Sequence, residues 1–195
     1  SGRLGFLAHI EKHQTEKFRQ ILNGEYSICQ RMLLDITLLR DGETEHFTAV
    51  NDAVVSKGNV SKIIDVDVFD GREFHFTYRC DGVIFSTPTG STAYSLSAGG
   101  PVIDPQVECI NMTPICAHLG FNKSVLFAPQ KVIRLEANQN NATEIFLTVD
   151  GEDYVQIKQG DQLVIQKSER MLKLMRFEDT NFYAILNEKI IQRGN

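Results

Sequence analysis

The chain is short of the features that mark several large protein classes. Its four cysteines, Cys29, Cys80, Cys109 and Cys116, include no C-x-x-C pair. That argues against a disulfide scaffold or a zinc ribbon. Neighbours such as Ile28, Ile110 and Ile115 suggest buried free thiols in a reducing compartment. The five histidines stand singly, so a zinc site would need ligands from distant segments. No Lys/Arg run exceeds two residues and the net charge is −5, which leaves no electrostatic footprint for nucleic acid or an anionic membrane. No apolar run approaches the roughly 18 residues that span a bilayer. The first residues lack the charged-then-apolar order of a signal peptide. The expectation is a cytoplasmic protein with neither nucleic acid nor membrane as partner.

What is present describes a packed globule. Of 195 residues, 42% are hydrophobic, ordinary for a domain that folds without staples. At the start, Leu4, Phe6 and Leu7 surround Gly5 like a buried strand end entering a loop. Phe18, Ile21 and Leu22 then stand at helical spacing ahead of Gly24, which predicts a helix of about three turns. Beyond Gly24 the texture is that of strands. Asp41-Gly42 and Asp70-Gly71 each join two apolar-rich runs as a hairpin would, and Phe74, Phe76 and Tyr78 alternate with His75, Thr77 and Arg79. Further strands are predicted over 124–128, 132–137, 144–149, 154–157, 162–166 and 171–176, a spacing that suits a β-sandwich or barrel. Phe182, Ile185, Leu186 and Ile190 share one helical face after the start signal Asp179/Thr180, so a helix closes the chain. The organisation read from this is a small α/β remnant with a connecting helix (1–24), a β-sandwich (25–177) and a C-terminal helix (178–195).

The segment Ser86–Gly100, STPTGSTAYSLSAGG, packs seven Ser/Thr hydroxyls and three glycines into fifteen residues without a charge. Hydroxyls, backbone N–H groups and one aromatic ring suit a sugar, a phosphate or a purine, whereas a metal asks for His, Cys or carboxylates. A plain Ser/Gly-rich connecting loop is the other reading. Val83–Phe85 reads as a strand, and a helix beginning at Ser91 or Thr92 would end at Gly99-Gly100 and Pro101. The strand would then be delivered onto a helix N-terminus, a setting that favours phosphate. No Lys follows the glycine as in a Walker loop, and G-x-S-x-G is absent.

DGVIFSTPTGSTAYSLSAGGPVIDP, from Asp81 to Pro105, resembles the signature segment of the NAD kinases. AVNDAVVSKGNVSKIIDVDVF resembles the family's Asn-Glu segment, GRLGFLA its Leu-Gly-Phe loop, and TPICAHL and VDGE fall where the family has similar words. The resemblance implies transfer of a phosphoryl group from ATP, with Mg²⁺, to the adenosine-ribose 2′-hydroxyl of NAD, giving NADP. It also implies a mainly β fold, the β-sandwich C-terminal domain of NAD kinase type with short helices, preceded by a small α/β remnant to which the C-terminal helix returns. A homo-dimer or homo-tetramer is implied as well.

By the same resemblance, Asn51 matches the asparagine that holds the adenosine, and an amide pairs both donor and acceptor with adenine. Asp52 takes the place of the neighbouring glutamate and keeps an acceptor charge for a ribose hydroxyl, one methylene shorter; alone, Asn51-Asp52 is a turn pair. Asp81, Thr89, Thr92, Ala93, Tyr94 and Ser97 match positions lining the dinucleotide pocket. Tyr94 would cover a base, its other reading being a core tyrosine. Phe6 matches a phenylalanine beside the adenosine and otherwise reads as core. Arg79 matches a basic position meeting a dinucleotide phosphate, from its own or a neighbouring subunit, and otherwise reads as a solvated strand residue. Asp150 matches the family's late Asp-Gly, which alone is a hairpin turn.

The family's Gly-Gly-Asp-Gly motif, which carries the catalytic aspartate, does not occur. The chain therefore reads as the C-terminal two thirds of an NAD kinase, binding NAD or NADP with no catalytic residue of its own, no metal or cofactor bound alone, and no activity alone. Two other readings are a non-catalytic dinucleotide-binding or oligomerisation module and a lipid kinase of related fold.

Overall fold

The computed structural model describes residues 17–59, 61–118, 121–137, 143–177 and 181–187. Phe6 and its neighbours, Asp179/Thr180 and Ile190 lie outside the described residues. Two compact units emerge, one of residues 32–171 and one gathering the described residues before 32 and after 171.

The chain is mainly β, with twelve strands among the described residues. They are β1 (Ser27–Arg40), β2 (Glu43–Ala49), β3 (Asp52–Lys57), β4 (Ile64–Asp70), β5 (Glu73–Cys80), β6 (Gly82–Ser86), β7 (Ile110–Ile115), β8 (Val125–Phe127), β9 (Ile133–Ala137), β10 (Ile145–Val149), β11 (Asp153–Ile157) and β12 (Gln162–Arg176). They form two six-stranded sheets, ordered β2-β1-β12-β9-β4-β5 and β11-β10-β3-β6-β7-β8. The larger unit holds one continuous core. Leu34, Ile36, Leu38, Val66, Val68 and Leu135 of the first sheet pack with Ala53, Val55, Val83, Phe85, Met112 and Leu147 of the second. Period-two alternation puts each set on one face of its strand. Fully burying one such Leu or Ile stabilises the fold by about 1.5–3 kcal/mol.

The turns follow backbone chemistry. Arg40 pairs with Glu43, so Asp41 (φ +47) and Gly42 (φ +85) are both left-handed, as a two-residue hairpin of this hand requires. At the next hairpin Asp70 pairs with Glu73, which places the turn on Gly71-Arg72, one residue later than the predicted Asp70-Gly71. The two strands predicted at 162–166 and 171–176 are one, β12, because it lies hydrogen-bonded between β1 and β9 and the polar Lys167–Arg170 stretch stays extended.

In the smaller unit α1 (Lys17–Leu22) ends before Gly24, whose φ is +73. Lys17 Nζ sits 5.1 Å from the Phe177 ring centre, and the Ser27 hydroxyl donates to the Arg176 carbonyl at 3.3 Å. The closing helix (Phe182–Leu186) is capped by Asn181, whose side chain accepts from the Tyr183 N–H at 2.9 Å. Asn181 therefore takes the capping role predicted for Asp179/Thr180.

All four cysteines are free; Cys80 and Cys109 are buried, Cys29 half-buried and Cys116 exposed. The expectation of a buried thiol fails at Cys116 because the chain leaves β7 there in a left-handed conformation, φ +47. No helix among the described residues is long and apolar enough to cross a membrane.

The second sheet departs from simple alternation at its centre. Val54, Ile84, Ser86, Asn111 and Thr113 are buried although they alternate with the core-facing residues of β3, β6 and β7. The segment after β6, including the short α2 (Tyr94–Ser97), supplies the cover: Ser95 Oγ is 3.2 Å from Thr113 Oγ1 and 2.9 Å from Asn111 Nδ2. A strand so covered is buried on both faces, which accounts for the unbroken apolar run Val83–Phe85.

Candidate functional site

The covering segment is stitched to the turn that enters β3. Thr87 N–H donates to the Asn51 carbonyl at 2.9 Å, and the Thr87 hydroxyl donates to the Val50 carbonyl at 2.7 Å. The same hydroxyl accepts from the Gly90 N–H at 2.9 Å. Gly90 lies so close to the turn that an added Cβ would stand 2.0 Å from the Asn51 carbonyl oxygen. Only glycine permits that approach.

The helix expected from Ser91 or Thr92 is divided. A 3-10 turn over Gly90–Thr92 is separated from α2 by Ala93, whose φ/ψ of −97/−126 fits neither helix. The Tyr94 N–H, at the start of α2, faces the Asp52 carboxyl and lowers its affinity for a proton.

Asp52, the first residue of β3, is only 6% exposed. Burial pushes its carboxyl up to about 6, the nearby Asp150 adds to the rise, and the Tyr94 N–H offsets part of it. Asp150, in the β10–β11 turn at φ +49, accepts Val50 N–H on Oδ2 at 2.8 Å, and Asn51 and Asp52 N–H on Oδ1 at 2.7 and 3.0 Å. Its own N–H donates back to the Asp52 carbonyl at 2.9 Å. Asn51 is half-buried, and its side-chain amide is committed to no partner among the described residues.

Of the residues singled out in the sequence, Asn51, Asp52, Thr89, Thr92, Ala93, Tyr94 and Asp150 therefore belong to one neighbourhood. Thr89 and Thr92 are buried, the Thr92 hydroxyl donating to the Thr89 carbonyl at 3.2 Å. Tyr94 is 46% exposed, which removes the core-tyrosine reading. Ser97 closes α2 and is exposed.

Asp81 and Arg79 lie elsewhere. Register pairs Asp52 with Ser86 but Ser56 with Gly82, so Asp81 falls at the opposite end of β3 and β6, where it holds Lys57 Nζ at 2.7 Å. Five strand residues separate the two groups by about 15 Å. Arg79, on the edge strand β5, is exposed and faces Asp65 at 3.9 Å.

Thr87, Ser95 and Asn111 were not singled out in the sequence. Asn111 Nδ2 lies 3.0, 2.9 and 3.2 Å from the hydroxyls of Ser86, Ser95 and Thr113, while its Oδ1 is buried without a partner among the described residues. Gly100 makes room for this cluster, since a Cβ there would stand 2.4 Å from Ser95 Oγ. The signal was an asparagine and a threonine inside the otherwise apolar run Ile110–Ile115.

Residues 50–177 match the family model of the ATP-NAD kinase C-terminal domain. The chain is 41% identical over 191 residues to an NAD kinase of Natranaerobius thermophilus, covering 97% of this chain and 66% of that protein. It is 37% identical to one from Acetivibrio thermocellus, covering 99% and 68%. It thus spans about two thirds of the length of these relatives. Its fold is similar to yeast NADH kinase in complex with NADH, with a TM-score of 0.89 and 26% identity over 100% of this chain and 59% of that one. It is also similar to an Archaeoglobus fulgidus NAD kinase in complex with ATP, with a TM-score of 0.76 and 25% identity over 98% and 71%. With the Asn51-Asp52 turn and the Ser/Thr-Gly loop joined on a two-sheet β fold, the chain belongs to the NAD kinase family and contains that family's C-terminal domain.

Proposed function

We propose that this chain is the dinucleotide-holding part of an enzyme that transfers a phosphoryl group from ATP to the adenosine-ribose 2′-hydroxyl of NAD, giving NADP. The observation that carries the reading is the backbone-clamped Asn51-Asp52 turn under the Ser/Thr-Gly loop, with an uncommitted amide beside a buried carboxyl. Asn51 pairs with the adenine edge or a ribose hydroxyl through its donor and acceptor. The Asp52 carboxylate accepts from a ribose hydroxyl, and Thr89, Thr92 and Ala93 bring hydroxyls and close backbone to the ligand. Tyr94 lays its exposed ring on a base. Asp81, about 15 Å along the strands, meets the far end of an extended dinucleotide. Arg79 offers a cation to its phosphates.

Hydroxyls, one amide and separated carboxyls form a donor set for a nucleotide. Mg²⁺ is assigned to the ATP substrate, whose phosphate oxygens it shares. In-line phosphoryl transfer depends on positioning and on stabilisation of developing charge. Without a Gly-Gly-Asp-Gly motif the chain presents one substrate and lacks the group that would take the 2′-hydroxyl proton, so it does not turn over alone.

Calorimetric titration with NAD, run beside Asn51→Ala, tests the reading. Saturable binding that weakens by about 1–3 kcal/mol in the variant supports it. No binding by the wild type overturns the dinucleotide site, and NADP formation by the purified chain overturns the assignment of inactivity.

A further inference from the structure

We propose that Asp150 is a positioning residue that presents the Asn51 amide and the Asp52 carboxyl to the adenosine end of the ligand, without touching the nucleotide itself. The proposal rests on the dinucleotide reading above and deepens it. Three successive N–H groups converge on one side chain only if residues 50–52 curl into a concave nest, a shape that ordinarily collects an anion. Here the anion is internal: Oδ1 serves Asn51 and Asp52, and Oδ2 serves Val50. The return bond from Asp150 N–H to the Asp52 carbonyl anchors the same turn a second time. With three of about four lone-pair sites filled by backbone, the carboxylate has little left for a ligand. Its placement also requires φ +49, a conformation that aspartate and asparagine tolerate better than other side chains.

The clamp has an electrostatic consequence. The groups bearing on Asp52 are the Asp150 carboxylate from the β10–β11 turn and the Tyr94 N–H from α2, the first raising and the second lowering its affinity for a proton. A purely structural tether would leave that balance alone.

The test compares wild type, Asp150→Asn, Asp150→Ala and Asp161→Asn. The Asp150→Asn side chain keeps the left-handed backbone and one acceptor but turns an NH₂ toward an N–H. Asp161 is a control at the other end of β11, a buried acid that accepts the Lys158 N–H and the Arg40 guanidinium. Amide exchange at Val50, Asn51 and Asp52, NMR titration of the Asp52 carboxyl, and NAD calorimetry are measured on each.

In the wild type the three amides exchange as slowly as strand amides although Val50 and Asn51 lie in the turn ahead of β3, a result that needs no variant; exchange of Val50 and Asn51 at open-loop rates overturns the proposal. In Asp150→Asn their exchange quickens and NAD binding weakens, each by at least about tenfold, the loss of one charge-assisted bond. The Asp52 midpoint also moves to lower pH. Asp161→Asn lowers the melting temperature and changes none of the three. Unchanged exchange or an unmoved Asp52 midpoint in Asp150→Asn overturns the proposal, as does NAD binding equal to wild type. If the wild type takes up no NAD while exchange and titration respond as stated, the dinucleotide reading falls and the clamp stands.

Discussion

Replacing Asp52 by asparagine should make the protein more stable and a poorer ligand holder, and the stability gain should depend on pH. Burial, then Asp150, lifts the Asp52 carboxyl from 3.8 to about 6. Roughly two pKa units at 1.36 kcal/mol each amount to about 3 kcal/mol. The direction follows from proton uptake. Below 3.8 both folded and unfolded chains hold the proton and nothing is lost. Between 3.8 and about 6 the unfolded chain releases it first, so stability falls as pH rises, and above about 6 the whole cost of a buried carboxylate is felt. Asparagine never ionises, and it keeps a carbonyl acceptor in the same place. The advantage of Asp52→Asn over wild type should therefore grow from little near pH 4 to about 3 kcal/mol at pH 7.5. For a chain of this length that is a difference in Tm of about 6–12 °C. Thermal and urea unfolding of both proteins across pH 4–8 measure it, with NAD affinity measured at pH 7.5, where the variant should bind more weakly. An advantage that is the same at every pH would refute the buried-carboxylate reasoning.

Two further substitutions probe the ground beneath the site. Gly90→Ala drives a methyl group to within 2.0 Å of the Asn51 carbonyl oxygen, which is backbone and cannot rotate away. It should cost about 1–3 kcal/mol and abolish NAD binding; a wild-type urea midpoint would show that the loop and turn are not in contact. Asn111→Ala strips the amide from the hydroxyls of Ser86, Ser95 and Thr113 in a buried place. A loss of about 1–3 kcal/mol is expected, with faster amide exchange in α2, and unchanged exchange there would refute the anchoring role.

The two-sheet β fold was legible in the sequence because strand alternation and turn chemistry are local. Asp41-Gly42 needs only its own backbone preference to make a hairpin, and Leu34, Ile36 and Leu38 need only period two to share a face. Where neighbours decide, local reading missed. Nothing within Lys167–Arg170 says that β1 will hold it extended, and Gly71-Arg72 took the turn from Asp70 because of its pairing with Glu73. The helix read from Ser91 or Thr92 as far as Gly99-Gly100 broke at Ala93, after a 3-10 turn that begins on Gly90, the residue pressed against the Asn51 carbonyl.

Composition and motif order by themselves determined the family, the residue types of the site and the absence of a Gly-Gly-Asp-Gly motif, since these depend on identity and spacing along the chain. Tertiary structure alone decided that Asp150, nearly a hundred residues from Asn51, spends its carboxylate on backbone, and that Asp52 is buried enough to resist ionisation. It also set Asp81 about 15 Å from Asp52, because antiparallel pairing of β3 with β6 carries them to opposite ends of the same two strands. Hydrogen-bond partners and dielectric surroundings are properties of proximity in space, and no stretch of sequence contains them.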